Sequence, residues 1–200
     1  MSRIPTTVYA EMTPNPSNMK FVANRLLVEG GLSVEFNSLE EAKGRSPLAE
    51  ELFQFPFVNG VFIASNFVTI AKTDAIGWDL VNMQLREFLR EYLTDNKVVI
   101  TNAEQLVAEK KEAAEKAFEN LAPSEYDDKI VEILDEYIRP AVEGDGGAID
   151  FKSFNNGVVT VTLRGSCSGC PSSSATLKGG IETLLKQMIP AVTEVVAEEL

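Results

Sequence analysis

The run NGVVTVTLRGSCSGCPSSS, residues 156–174, passes in turn through a hairpin signal, a strand, two cysteines and the start of a helix. Asn156-Gly157 is the dipeptide that most strongly favours a two-residue hairpin turn. The residues from Val158 to Leu163 alternate between apolar and polar in the period of two that is typical of a half-buried strand. Pro171 suits the first position of a helix, where a missing N–H costs no hydrogen bond. The run therefore predicts a strand–loop–helix unit with the cysteines on its loop.

The cysteine pair concentrates the thiol chemistry of the chain in one place. Cys167 and Cys170 are its two cysteines, and it has no histidine. Two thiolates grip one metal ion or form one disulfide, but zinc or an iron–sulfur cluster needs four ligands. A helix N-terminus lowers a thiol pKa and so favours the thiolate. A tight metal site here therefore requires further ligands from a second copy or a partner, and Ser-His-Asp and Cys-His catalysis are excluded within the chain.

The spacing of the cysteines alone leaves several functions open. A CxxC motif serves as half of a metal site, as a dithiol redox pair, or as neither. Thioredoxins share the strand–CxxC–helix order, but their fold needs further strands after that helix, and only about ten residues follow Pro190 here. A dithiol oxidoreductase and a structural zinc-linked dimer thus stand beside a metal-cluster site as hypotheses.

Composition and charge limit the binding partners and the cellular compartment that we expect for the protein. The chain has 200 residues, 44% of them hydrophobic, and a formal net charge of −12. Nucleic-acid binding is disfavoured because it needs clustered Lys and Arg, and no apolar run reaches the ~18 residues of a membrane span. The first residues lack the pattern of a signal or transit peptide. We therefore expect no nucleic-acid or membrane partner and a cytoplasmic location, with the mitochondrial matrix as the alternative for a processed form.

The periodicity predicts two small α+β domains. In residues 1–100 we expect strands at 7–12 and 19–23, a helix starting at 46, a hairpin at 60–71 and a helix carrying Val81 to Tyr92. Residues 101–122 are rich in Ala, Glu and Lys with a thin apolar stripe, which indicates a helical linker.

The second predicted domain, residues 123–200, has the order α-β-β-α-β. Its first helix is expected to stop at Pro140, and the glycine-rich residues 143–147 are expected to form a loop. The cysteine motif lies on the loop between the second strand and the second helix of this domain.

The second half also resembles the NifU C-terminal (Nfu) domain over about residues 124–196. The resemblance rests on RPAVEGDGGAI (139–149), GVVTVTLRG (157–165) and CSGCPSSSATLKGGIE (167–182). The first half resembles the Nfu N-terminal domain through TPNPSNMKF (13–21), SPLAEELF (46–53), FVTI (67–70) and Trp78.

The resemblance implies a non-enzymatic scaffold or carrier for [4Fe–4S] clusters, with [2Fe–2S] as a second possible cargo. Cys167 and Cys170 match the two cysteine ligands of the family, and no catalytic residue is implied. The cluster is expected to be bridged between two chains, which makes the protein its own partner as a homodimer. Further expected partners are apo iron–sulfur enzymes, which receive the cluster, and upstream cluster-assembly proteins.

Overall fold

A computed structural model describes residues 3–103, 105–108, 124–166 and 171–199, with residues 171–175 and 199 described by their backbone. The chain divides into two compact units, Met1–Ala108 and Glu109–Leu200. Each unit combines helices with a sheet of its own, which confirms the predicted α+β class.

The first unit is built on a five-stranded antiparallel sheet of order β1-β2-β5-β4-β3. Its strands are β1 (Val8–Met12), β2 (Asn18–Ala23), β3 (Ser33–Phe36), β4 (Val58–Ala64) and β5 (Phe67–Lys72), and its helices are α1 (Leu39–Ala42), α2 (Pro47–Leu52) and α3 (Trp78–Thr94). The predicted strands, the hairpin and both predicted helices are confirmed. Sequence reasoning missed β3 and α1, since four residues are too few to show a period.

The start of α2 ties the chain beyond α3 to the first unit. The Ser46 hydroxyl accepts a hydrogen bond from the Ala49 N–H at 3.1 Å and donates one to the Val99 carbonyl at 2.7 Å. It caps the helix and holds the later segment with the same oxygen atom. Side-chain caps of this kind are worth about 1 kcal/mol.

Residues 99–107 pack on the core of the first unit. Ile100 is buried there, and Val99, Ala103, Leu106 and Val107 pack against it. Ala103, Leu106 and Val107 of the predicted linker therefore contact this core, whereas residues 104 and 109–123 lie outside the described residues. The boundaries of the linker, and of the two predicted domains, stay a prediction.

The second unit carries a three-stranded sheet of order β6-β7-β8. Its elements are α4 (Asp127–Ile133), a π-helical turn (Leu134–Ile138), α5 (Arg139–Gly144), β6 (Gly147–Asn155), β7 (Val158–Gly165), α6 (Pro171–Met188) and β8 (Glu194–Glu199). The hairpin partners β6 and β7 are antiparallel, whereas β8 runs parallel to β7. A parallel pair needs a crossover, and α6 supplies it. The predicted order α-β-β-α-β is confirmed.

The predicted hairpin turn is confirmed at Asn156-Gly157. Both residues have positive φ angles, 49° and 85°, as a two-residue type I′ turn requires. The Gly157 carbonyl also accepts hydrogen bonds from the N–H groups of Thr193 and Glu194, at 2.7 and 3.2 Å. A Cβ atom on Gly157 would lie 2.6 Å from Thr193 Oγ1. The glycine therefore both reverses the hairpin and lets the chain entering β8 approach closely.

The expectation that the helix before the hairpin stops at Pro140 is wrong. The helical run continues through Pro140 to Gly144, so the predicted loop at 143–147 shrinks to Asp145-Gly146. The π-helical turn changes the hydrogen-bond register just before the proline, which then occupies the first turn of α5, where a missing N–H is tolerated.

Candidate functional site

Strand β7 and helix α6 fix the two ends of the loop that carries the cysteines. Val159, Val161 and Leu163 of β7 are fully buried in the core of the second unit. Ile181 and Leu185 of α6 are buried in the same core. Both ends of the loop therefore belong to elements that pack in the same core. A rigid scaffold of this kind commonly positions a binding loop.

The loop lies between Gly165, the last residue of β7, and Pro171, the first residue of α6 and the helix start that the sequence predicts. Gly165 has φ 71°, which turns the chain out of β7, and the Ser166 N–H donates to the Gly146 carbonyl at 3.2 Å. Helix α6 begins at Pro171. Cys167 and Cys170 themselves lie outside the described residues, so their role as ligands stays a prediction.

Ser166, directly before Cys167, is a buried polar residue that sequence reasoning did not single out. Its side chain is 2% exposed, and its hydroxyl has no hydrogen-bond partner among the described residues. A buried hydroxyl without a partner is costly, so such groups call for an explanation. Its position next to Cys167 is the one sequence signal that points to it.

The charged residues beside the loop are engaged in structural pairs. Arg164 of β7 forms an ion pair with Asp150 of β6 across the hairpin. Arg139 pairs with Asp135 at 2.6 Å and donates to the Ile149 carbonyl at 2.9 Å. Across the ranges that the structure describes, no three Asp, Glu, Cys or His side chains come together as a metal site. The described flanks of the loop therefore offer no carboxylate cluster that would hold a metal in place of the thiols.

Helix α6 is also tied to β8 through Glu182. A hydrogen bond from Lys186 at 2.5 Å, and a second from the Val195 N–H at 3.2 Å, lower the pKa of the Glu182 carboxyl below its ordinary value. The charged carboxylate thus stabilises the attachment of α6 to β8. This stabilisation is lost as the pH falls through the lowered pKa. Glu182 is a structural acid of the helix behind the loop.

In the described parts of the chain, no helix has both the length and the apolar character that a membrane span needs.

Strand β7 and helix α6 thus flank the segment of the chain that carries the cysteine pair. Two family models match the chain, "Scaffold protein Nfu/NifU N terminal" over residues 8–96 and "NifU-like domain" over residues 130–196. The chain belongs to the Nfu/NifU-like family of iron–sulfur cluster scaffold proteins, as its sequence resemblance predicts.

Curated relatives agree with this assignment over nearly the whole chain. NifU-like protein 4, mitochondrial, of Arabidopsis thaliana is 34% identical over 193 residues, which cover 96% of this chain and 65% of that protein. The human NFU1 iron-sulfur cluster scaffold homolog, mitochondrial, is 34% identical over 190 residues, which cover 92% and 69%. The chain therefore spans about two thirds of the length of these relatives.

A solved structure is also similar to part of the chain. The solution NMR structure of a NifU-like protein from Saccharomyces cerevisiae is 25% identical, covers 51% of this chain and 88% of its own, and has a TM-score of 0.44.

Proposed function

We propose that the protein binds a [4Fe–4S] cluster between two chains through Cys167 and Cys170 and transfers it to apo-proteins. The observation that carries the proposal is the strand–loop–helix unit around one CxxC pair in a chain without histidine. Membership of a scaffold family supports an iron–sulfur cluster as the cargo and a non-enzymatic role.

The ligand count supports a bridged cluster. A cubane cluster with four cysteine ligands needs four thiolates, and each chain has two. Two copies related by a two-fold axis supply equal pairs, and such dimers are the commonest homo-oligomers. The homodimer is therefore the simplest assembly that completes the coordination sphere without a foreign ligand.

Transfer follows from the exchange of thiolates. An acceptor cysteine loses its proton and forms an Fe–S bond, the bond to Cys167 or Cys170 breaks, and the released thiolate takes up a proton. Four such exchanges move the cluster with no change of its oxidation state and leave two chains without a bridge. Metal ligands that are fixed by histidine or carboxylate partners are held more firmly. The carboxylate of Asp150, on the strand next to β7, pairs with Arg164 instead.

Ser166 supports binding of a thiolate or a sulfide at this loop. Its buried hydroxyl is an O–H donor directly before Cys167 and lacks an acceptor among the described residues. Hydrogen bonds to cluster sulfur atoms tune iron–sulfur sites. We expect the hydroxyl to find its acceptor when the site is loaded.

We expect anaerobic reconstitution with iron and sulfide to yield about four irons per two chains, because one cubane needs both cysteine pairs. Iron and sulfide analysis with native mass spectrometry measures this ratio, and a chelator should return the protein toward monomer. A monomer that holds a complete cluster would contradict the bridged site, and a two-iron product would indicate [2Fe–2S].

The dithiol oxidoreductase hypothesis remains the alternative function of the same cysteines. The strand–CxxC–helix order favours it, whereas the family assignment favours the scaffold. Colour separates the two, because a loaded iron–sulfur protein is brown and a disulfide or zinc form is colourless.

The proposed partners are apo iron–sulfur proteins as acceptors and cluster-assembly proteins as donors. The relatives named above are described as mitochondrial. Their names favour the mitochondrial alternative and do not support the cytoplasmic prediction, so we propose the mitochondrial matrix as the compartment. Fractionation of source cells tests it, and recovery in the cytosol alone would contradict it.

A further inference from the structure

We infer that the first unit binds a carboxylate with a short apolar chain, in a pocket separate from the cysteine loop. The pocket has a volume of about 190 Å³ and lies between the segment that follows β2 and the segment that follows α3. Its polar lining residues are Arg25, Asn96 and Lys97. The inference is independent of the proposed function, because every residue that it uses belongs to the first unit.

Arg25 supplies a fixed positive charge. Its Nη2 donates to the Leu93 carbonyl at 2.8 Å, and its Nη1 donates to Asn96 Oδ1 at 3.1 Å. Its Nε is buried and has no hydrogen-bond partner among the described residues. Both partners named here are neutral, so they orient the guanidinium without neutralising it. Capping of the α3 C-terminus accounts for the bond to Leu93 but leaves the Nε donor unexplained.

Asn96 adds further donors. A guanidinium only donates hydrogen bonds, so the atom of Asn96 that faces Arg25 is its oxygen, and the amide N–H₂ is directed elsewhere. The residue has φ 53°, a left-handed conformation that asparagine tolerates better than most residues. This backbone conformation follows α3 directly and places the asparagine beside Arg25.

Lys97 gives the pocket a second positive charge. Its Nζ lies 3.3 Å from a carboxylate oxygen of Glu51 and 4.8 Å from the centroid of the Tyr92 ring. The Lys97 and Glu51 side chains are both 45% exposed. An exposed pair is screened by water and worth little, so Glu51 offsets the lysine charge in part. The described lining therefore includes two cationic side chains, one of which is paired with Glu51.

The rest of the lining is apolar. It consists of Leu26, Leu27, Val99, Ile100 and Ala103. Among the described residues, none that lines this pocket is acidic.

A lining that combines cationic and amide donors with aliphatic side chains fits a carboxylate with an aliphatic tail better than a bare inorganic anion. The volume of about 190 Å³ is below the range of drug-sized ligand pockets, so it suits an acid of a few carbons. A free aliphatic acid and the C-terminal carboxylate of a protein with an apolar last residue share this chemistry.

The test is an NMR titration of the ¹⁵N-labelled full chain with isovalerate at constant ionic strength. We expect the Arg25 Nε–H and Asn96 side-chain signals to shift and saturate with isovalerate and not with the neutral isostere isovaleramide. Lys97→Glu should weaken binding about tenfold or more, because a charged partner is replaced by a repulsive one. Lys129→Glu is the matched control, since Lys129 is an exposed lysine of the second unit.

Three results would overturn the inference: no saturable shift with isovalerate, equal shifts with isovaleramide or chloride, or equal weakening by Lys97→Glu and Lys129→Glu. Titration with a dipeptide that ends in leucine, and with the C-terminal amide of that dipeptide, separates a protein C-terminus from a free aliphatic acid as the ligand. Tighter binding of the free-acid dipeptide than of isovalerate indicates a protein C-terminus, and weaker binding indicates a free acid. Neither variant touches the cysteines, so reconstitution of the cluster reads out the proposed function separately.

Discussion

Replacement of Cys167 by serine is expected to reduce bound iron to background after reconstitution, and Cys170→Ser should do the same. A hydroxyl is a poor ligand for cluster iron, and loss of one ligand per chain leaves two of the four thiolates in a dimer. The effect should be complete, because the chain has no third cysteine and no histidine to substitute.

The same variants should keep the fold. The described core of the second unit consists of residues from the helices and strands on either side of the loop. Neither cysteine lies in an apolar stripe of the sequence. The free energy of unfolding of the apo-protein should therefore change by less than about 0.5 kcal/mol, as for most substitutions outside a core.

Circular dichroism and thermal unfolding of the apo-proteins measure the fold, and iron and sulfide analysis measures the cluster. Ser168→Ala is the matched control, since it alters the same loop and keeps both thiols. Full iron in either cysteine variant, with the control also loaded, would refute the ligand assignment.

The fold of the second unit is predictable from sequence because its signals are local and strong. Asn156-Gly157 specifies the hairpin turn, and the alternation after it gives the strand whose buried face is observed. Pro171 marks the start of α6, and Pro190 lies two residues beyond the observed end at Met188. Each of these signals acts within a few residues, so tertiary contacts do not override it.

Features that the sequence does not show come from shifts in hydrogen-bond register or from interactions between residues distant in sequence. Pro140 ordinarily ends a helix, but the π-helical turn before it places the ring where the helix tolerates it. Residues 101–108 look like linker from their composition, yet Leu106 and Val107 pack on a core formed by strands much earlier in the chain. Composition alone does not report such contacts.

The candidate site likewise has one part that the sequence predicts and one part that it does not. The ligand pair is predictable because cysteine chemistry depends on residue type and spacing. Ser166 carries no such signal, since a serine before a cysteine is ordinary until its hydroxyl is known to be buried with no partner among the described residues. The Arg25 pocket joins two segments that are about 70 residues apart in the sequence, so only the folded first unit reveals it.

The two units are expected to work as separate parts, with the cluster bound by the second alone. The two described cores share no residue, since one contains residues up to 107 and the other begins at Tyr126. A fragment of residues 123–200 retains both cysteines and every described element of the second unit, so it should bind a cluster like the full chain. A fragment of residues 1–108 should bind none, having neither cysteine nor histidine.

The choice of residue 108 as the end of the N-terminal fragment follows from the structure. A fragment that ended at residue 97 would lack Val99, which accepts the hydrogen bond from Ser46, and would expose the surface that Ile100 covers. Residues 1–108 keep both contacts, so this fragment should unfold cooperatively and serves as the matched negative control for iron binding.

Transfer to an apo-aconitase and to other apo-enzymes then measures the contribution of the first unit. If this unit docks acceptors, the fragment 123–200 should take up the cluster normally but restore the activity of some acceptors more slowly than the full chain does. Equal rates across several acceptors would remove the docking hypothesis and leave the first unit without a part in transfer. Failure of a folded 123–200 fragment to bind a cluster, while the full chain binds one, would show that the site needs the first unit and would refute the independence of the two domains.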